Sequence, residues 1–542
     1  MTADSSAAAA SGGSAVSAAA RGGAARGGAA AGRATRGGAA AGPAASGPAA
    51  GRAAAGRTAD RAAPRPSAAL DPATWSRAHD ELIGGLRDLL RIRTINPPGD
   101  EILAARHLEA VLADAGIPST VVEPFPGRGS IVARLRGDGT GGAPLLLLSH
   151  LDVVPAPEAG WTRDPFGGDL VDGYVWGRGA IDMKGMVAME VAVMRLLAAE
   201  ARAAGRDPAS DPVPGLTRDV IFASTADEEA GGVHGAGWMV EYHPEWLAAA
   251  GALNECGGVA MTVAGTRLWP IQVAEKGFAT YDLEVRGRWG HGSMPGDGGP
   301  GAGGTVDGDT NALLRAGEVA RRLASPGRPR LTPVMAGFLG GAADAVPPEI
   351  GAWIRRLAGD GPAAEAALAA VCTDAYRRAL RSMLRDTFSP DVMQVGTRHN
   401  VIPGVAALTV DIRVLPGTTP DDVAEELRAR IGDDLAPHVT STLRLWGPPV
   451  VAPAEGELWD VMTSAIQAAD PGGVPLPAMA TWATDAKHTA KIGIPTYGFS
   501  PLLLGPDDQF LALFHGDDER VSVEALRFGL PVLYDVVRRY CG

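Results

Sequence analysis

The chain is 542 residues long, 20% of them charged, with a formal net charge of −13. That length admits more than one domain, while so acidic a balance argues against nucleic acid or an anionic membrane as a partner. No apolar run reaches the roughly 20 residues a membrane-spanning helix needs. Cys256, Cys372 and Cys541 form no CxxC pair. Neither a thiolate zinc site nor a disulfide framework is indicated, and a reduced, cytoplasmic protein is the default expectation.

Residues 1–66 stand apart. They are mostly Ala, Gly, Ser and Arg, with Val16 as the only branched aliphatic and no aromatic. Such a segment cannot bury enough apolar surface to offset its ordering entropy, so disorder is expected. Eight Arg against Asp4 and Asp60 give it +6, which leaves −19 on the rest of the chain. Weak contact with a polyanion is one reading of this tail, and a solvated linker is the plainer one.

From Asp71 the pattern is helical: Trp75, Leu82, Leu86, Leu89 and Leu90 recur at helical spacing until Asn96-Pro97-Pro98-Gly99. A second helix is read over 101–115, with Ile102, Leu103, Leu108, Val111 and Leu112 on its apolar face. Short strands follow at 119–123 and 130–136. Pro144 to Ser149 is largely apolar, as a strand covered on both faces is, and leads straight to His150. Residues 184–203 read as a long helix, and Asp219 to Ser224 as another buried strand leading to Glu228 and Glu229. Candidate site residues just past strand C-termini suit an open α/β sheet.

From about residue 275 the pattern changes. Tyr281 to Gly287 alternates apolar and polar, as does Leu408 to Val414; helices are read at 309–323 and 420–431, and Thr440 to Leu445 closes the run. This β-α-β-α-β order predicts a second, α+β domain inserted into the first. Residues 295–308 are Gly-rich, and 349–388 read as additional helices. The expected division is a 1–66 tail, a catalytic domain over 67–274 and 448–542, and an insert over 275–447.

Five short motifs hold metal-ligand residue types: His150 in Ser-His-Leu-Asp, Asp182 in Gly-Arg-Gly-Ala-Ile-Asp-Met-Lys-Gly, Glu229 in Ala-Asp-Glu-Glu-Ala-Gly-Gly, Glu255 in Leu-Asn-Glu-Cys-Gly-Gly and His515 in His-Gly-Asp-Asp-Glu-Arg-Val. Two imidazoles and three carboxylates suit Zn²⁺ or a neighbouring divalent transition metal. Asp152 lies on the same side as His150 if the backbone stays extended, where it can hold the second ring nitrogen and fix the tautomer. Asp182 can bridge two cations through its two oxygens, or it can cap the following helix. Glu228 and Glu229 are adjacent, so one can hold metal while the other moves protons. His291, in a Gly-flanked loop, can stabilise an oxyanion or be an ordinary turn residue. Arg413, thirteen residues after Asn400, offers a two-pronged grip on a carboxylate or is an arginine on the outer face of a strand.

Together these motifs resemble the M20 family of dinuclear zinc metallopeptidases and amidohydrolases, over roughly residues 75–542. The resemblance implies a zinc-peptidase-like catalytic domain with a mixed sheet flanked by helices, and an inserted α+β lid that makes a homodimer. It implies two divalent cations, Zn²⁺ first and Co²⁺ or Mn²⁺ as alternatives, held by His150, Asp182, Glu229, Glu255 and His515, with Asp182 bridging and Asp152 orienting His150. Glu228 becomes the general base, and His291 the oxyanion contact reaching into the partner's site. Asn400 and Arg413 match lid positions that bind substrate, and Asp485 in Thr484-Asp485-Ala486 a further contact; His515 is preferred over nearby His488 for metal. The implied reaction is hydrolysis of an amide bond in a small substrate with a free carboxylate: a dipeptide, a C-terminal peptide bond or an N-acyl amino acid. The competing reading is an inactive, dimeric metal-binding scaffold, against which the intact Glu228 argues.

Overall fold

In the computed structural model, which describes residues 70–542 except 158, 295–310, 360–361, 372–373, 506–507 and 509, the first helix is Pro72–Arg91. Asp71 accepts hydrogen bonds from the backbone of Ala73 and Thr74 at 2.9 and 3.0 Å, and Pro72 fills the first helical position. The 1–66 tail and the 295–308 stretch lie outside the described residues.

The second helix, Glu101–Asp114, departs from its expected face. Leu103 is exposed, while Glu101, Ala104, Ala105, Leu108 and Leu112 are buried. Those five positions form one stripe at helical spacing, and Leu103 lies off it. An acid therefore heads the buried face.

Ten strands form one mixed sheet. Its four central strands, in spatial order Val220–Thr225, Leu145–His150, Gly251–Asn254 and Thr496–Gly498, run parallel and are buried throughout. Ser130–Leu135 and Ser119–Val122 continue the sheet antiparallel on one side; on the other, Thr266–Glu275 pairs antiparallel with Thr496–Gly498 and parallel with Val474–Ala480. The alternation of strand side chains decides how the sheet is covered. Leu145 and Leu147 pack into a core shared with the helices Pro72–Arg91, Lys184–Ala203 and Val523–Cys541. Leu146 and Leu148 pack on the opposite face against Met239, Leu247 and Ile494. Burying each of these leucines is worth about 1.5–3 kcal/mol, which explains the unbroken apolar run.

A separate four-stranded antiparallel sheet has the order Thr387–Val395, Val405–Val414, Gly277–Arg286, Val439–Gly447. The helices Ala312–Leu323 and Pro420–Ile431 cover one face, burying Val319, Leu323, Val423 and Leu427 against Leu283, Leu408 and Ile412. The edge strand Thr387–Val395 begins where the helical reading of 349–388 ends. The helices Pro333–Ala345 and Pro348–Arg356 do not extend this small sheet. Their Met335, Leu339 and Ile354 pack on Leu268, Leu476 and Met479 of the large sheet.

Candidate metal centre

Three parallel strands deliver the candidate ligands from their C-terminal ends. His150 is the last residue of Leu145–His150, Glu228 and Glu229 lie in the turn after Val220–Thr225, and Glu255 follows Gly251–Asn254. Asp182 precedes the helix Lys184–Ala203 without capping it, since that helix has no side-chain cap. Its carboxylate faces two imidazoles instead: Oδ1 lies 3.0 Å from His150 Nε2, and Oδ2 lies 2.9 Å from His515 Nε2. Glu255 Oε2 is 3.5 Å from His150 Nε2, and Glu229 Oε2 is 3.2 Å from His515 Nε2. Potential ligand atoms of His150, Asp182 and Glu229 all lie within 4.8 Å of one another, as do those of His150, Glu228 and Glu255.

Asp152 faces the His150 ring and the glutamate turn at once. His150 Nδ1 is closer to the Asp152 backbone carbonyl, at 3.0 Å, than to its carboxylate, at 3.4 Å. The carboxylate accepts the backbone N–H groups of Glu228 and Glu229 at 3.1 and 3.0 Å, and Asn96 Nδ2 at 2.8 Å. One buried acid thus lies beside the His150 ring and fixes the turn that carries both glutamates.

A layer of charged and polar residues lies beneath the centre. Arg128 donates to Asn96 Oδ1 at 2.8 Å, pairs with Glu101 at 2.5 Å and reaches Asp227 at 3.2 Å. Lys487 Nζ meets Glu228 Oε1 at 3.1 Å, and Glu519 holds the loop that ends in Asp182. Arg128, Asn96 and Glu101 carry no local motif. Lys487 does carry a signal, being one of four lysines in the chain and two residues after Asp485.

Crowded acids shift one another. Burial first, then the Asp182 charge, pushes Glu229 up to about 7. The bonds from Asp182 and Glu229 raise His515 to about 10. Burial alone would lower His150, but Glu255, Asp152 and Asp182 outweigh it and hold it well above the usual imidazole value. Five carboxylates, from Asp152, Asp182, Glu228, Glu229 and Glu255, are answered by two imidazoles and the Lys487 ammonium. Glu229 Oε1 is buried without a hydrogen-bond partner. Such a donor set, acid-rich and incompletely paired, fits a divalent cation.

Of the remaining expected residues, His291, Asn400 and Arg413 lie apart from this cluster. His291 is exposed and bonded to Ser293 Oγ at 2.8 Å; it pairs with Val401 in a short two-stranded ladder, and Gly292 N donates to the Asn400 carbonyl at 2.8 Å. His291 and exposed Asn400 are therefore neighbours. Arg413 Nε donates to Asp411 at 2.8 Å. Among the described residues none of these three is bonded to the metal-type cluster. Asp485 is buried, accepts from Thr225 Oγ1 at 2.6 Å and lies 3.9 Å from Lys487 Nζ. His488 is bonded to the Gly231 carbonyl at 2.9 Å and to Lys491, away from the two imidazoles on Asp182. Phe514 stacks beside His515 and on Trp482, with ring centroids 5.3 and 5.4 Å apart.

A sequence profile of peptidase family M20/M25/M40 matches residues 146–539. A probable carboxypeptidase S-like 2 of Dictyostelium discoideum is 25% identical over 429 residues, covering 76% of this chain and 74% of that protein. The N-fatty-acyl-amino acid synthase/hydrolase PM20D1 of Xenopus tropicalis is 26% identical over 474 residues, covering 82% and 83%. The crystal structure of the M20 family metallo-carboxypeptidase Sso-CP2 from Sulfolobus solfataricus shares the fold with a TM-score of 0.60 at 16% identity, over 85% of this chain and 99% of that one. The class so defined is that of hydrolases acting on amide bonds. This chain belongs to peptidase family M20/M25/M40, whose members are metal-dependent. No helix among the described residues is long and apolar enough to cross a membrane.

Proposed function

We propose that this chain is a dinuclear metal hydrolase, with Zn²⁺ as the first candidate metal, that cleaves an amide bond in a small substrate bearing a free carboxylate. The observation that carries the reading is the Asp182 carboxylate, whose two oxygens each face a different imidazole at 3.0 and 2.9 Å. His150, Asp182 and Glu255 would hold one cation; His515, Asp182 and Glu229 would hold the other. Bound there, the metal pair supplies Lewis acidity, polarising the amide carbonyl and acidifying water.

Glu228 takes the proton from water and returns it to the departing amine. Lys487 occupies its Oε1 at 3.1 Å, so the proton travels on Oε2. Asp152 braces the Glu228–Glu229 turn while flanking His150. His291 donates to the developing oxyanion from a second copy of the chain, a step where preorganised charge is effective. Its exposure on a short ladder supports this, as do exposed Val392, Val405, Leu443 and Leu445 on the small sheet, which suit a homodimer contact. Asn400, beside His291, and Arg413 bind substrate, Arg413 through its carboxylate. Relatives named for carboxypeptidase and N-fatty-acyl-amino acid chemistry share an amide next to a carboxylate. The aromatic stack beside His515 favours an apolar side chain or acyl group on that substrate.

The test is Glu228→Gln, assayed with Zn²⁺ on a panel of dipeptides and N-acyl amino acids. Turnover should fall by about 10²–10⁴-fold with metal content unchanged. A near-wild-type rate on a good substrate would overturn the assignment.

A further inference from the structure

The C-terminal loop that carries His515 also carries a fully buried acid, Glu519, which the reading above does not use. Its Oε1 accepts the backbone N–H groups of Ile181 and Asp182 at 2.7 and 3.1 Å. Its Oε2 accepts Gly179 N at 3.0 Å and Arg178 Nη1 at 2.7 Å. Arg178, also buried, turns its Nη2 toward the His515 carbonyl at 3.3 Å. Backbone pairing frames the arrangement: Gly177 N donates to the Glu519 carbonyl at 2.9 Å, and Arg520–Ser522 runs antiparallel to Tyr174–Trp176. One carboxylate thus collects three N–H groups from a four-residue stretch of the loop that presents Asp182, and through Arg178 it reaches the backbone of His515.

We propose that Glu519 is a positioning residue that locks the Asp182 loop to the His515 loop, so that both sides of the Asp182 carboxylate meet their imidazoles before any cation arrives. This rests on the dinuclear reading above. The physical need is specific. Asp182, Glu229 and Glu255 repel one another when no cation lies among them, and a loop held only by chain connectivity would relax away from that repulsion. Three backbone donors and one guanidinium converging on a single buried carboxylate resist the relaxation, because losing any of them leaves a buried polar group unpaired. A neutral amide at 519 cannot serve all four donors. Its NH₂ must face either the N–H groups of Ile181 and Asp182 or the Gly179 N–H together with Arg178, so one side of the clamp becomes repulsive.

The experiment is a Zn²⁺ competition titration against a chromophoric chelator on the full-length, metal-stripped chain, with metal content by atomic emission. Wild type, Glu519→Gln, Arg178→Lys and a core control, Leu82→Ala, are compared, each with its metal-free melting temperature. Glu519→Gln should bind Zn²⁺ about 10–100-fold more weakly, the usual size of an outer-shell effect on metal affinity. Arg178→Lys keeps the charge beside Glu519 but loses the branch to His515, and should weaken binding in the same direction. Leu82→Ala should lose stability while its Zn²⁺ affinity stays within twofold of wild type. Wild-type affinity in Glu519→Gln would overturn the proposal. If that variant does not fold, the decision falls to Arg178→Lys, where wild-type affinity would overturn it equally. A wild-type chain that binds no Zn²⁺ would instead sink the dinuclear reading itself.

Discussion

Lys487 and Glu228 form a nearly enclosed ion pair, Nζ to Oε1 at 3.1 Å, at the edge of the acid cluster. Burial alone would lower the ammonium, but Glu228 and Asp485 outweigh it and hold Lys487 above its usual value. It therefore stays charged and offsets one of the carboxylates crowded around the centre.

Removing that charge should be costly. Lys487→Met leaves Glu228 and Asp485 buried with no cation between them, a loss of about 3–5 kcal/mol by analogy with broken buried pairs. Urea unfolding should register it, and kcat should fall at least about tenfold through the mispositioned Glu228. Lys487→Arg should recover part of both. Unchanged kcat in Lys487→Met would remove the pair from the mechanism.

The layer below behaves as a second such unit. Arg128 is flanked by Glu101, held at about 7 by burial and then by the nearby Asp152 charge, and by Asp227. Arg128→Met should lower unfolding stability by about 3–5 kcal/mol. Adding Glu101→Gln should restore part of it, because the two residues share one network. Equal stability of Arg128→Met and wild type would contradict this.

His291 is exposed and its hydrogen bond is local. His291→Ala should leave the urea midpoint within about 0.5 kcal/mol of wild type. It should nonetheless cut kcat by about 10²–10³-fold, the scale of losing one oxyanion donor. A variant with full kcat would take His291 out of the reaction.

Acid sensitivity should come partly from His488. Burial holds its imidazole at about 4, with Nε2 donating to the Gly231 carbonyl and Nδ1 accepting from Lys491. An unfolded histidine titrates near 6.5, so below that pH the unfolded chain binds more protons, and this stabilisation fades as pH falls toward 4. Between pH 7.5 and 5 the loss is about 2 kcal/mol. His488→Gln keeps a donor for Gly231, so the stability gap between wild type and variant should shrink by that amount over this range. A gap independent of pH would refute the assignment.

What the chain made legible follows from how locally each feature is encoded. Pro420–Ile431 was readable to the residue because Thr419 and Asp422 form a reciprocal cap and Pro420 starts the helix. Leu145–His150 was readable because a strand buried on both faces must be apolar throughout. The candidate ligand types are visible because each sits in its own short motif, three of these motifs lying at a strand end. Their companions were not. Asn96 and Glu101 lie five residues apart and Arg128 comes 27 residues later, and they acquire meaning only once the second helix turns Glu101 inward. The edge strand Thr387–Val395 hid because its residues are mostly exposed and Pro390 falls at an irregular register, which blurs any alternation. Glu519 sits inside the His-Gly-Asp-Asp-Glu-Arg-Val motif, yet its partners lie more than 300 residues earlier.

In the function proposed above, Asp182 joins two cation sites. Calorimetric titration of the metal-stripped chain with Zn²⁺, with metal content measured alongside, addresses it directly. Wild type should bind two ions per chain and His515→Ala one, while Asp182→Ala should lose both high-affinity events. Two ions retained in Asp182→Ala, or none bound by wild type, would contradict it.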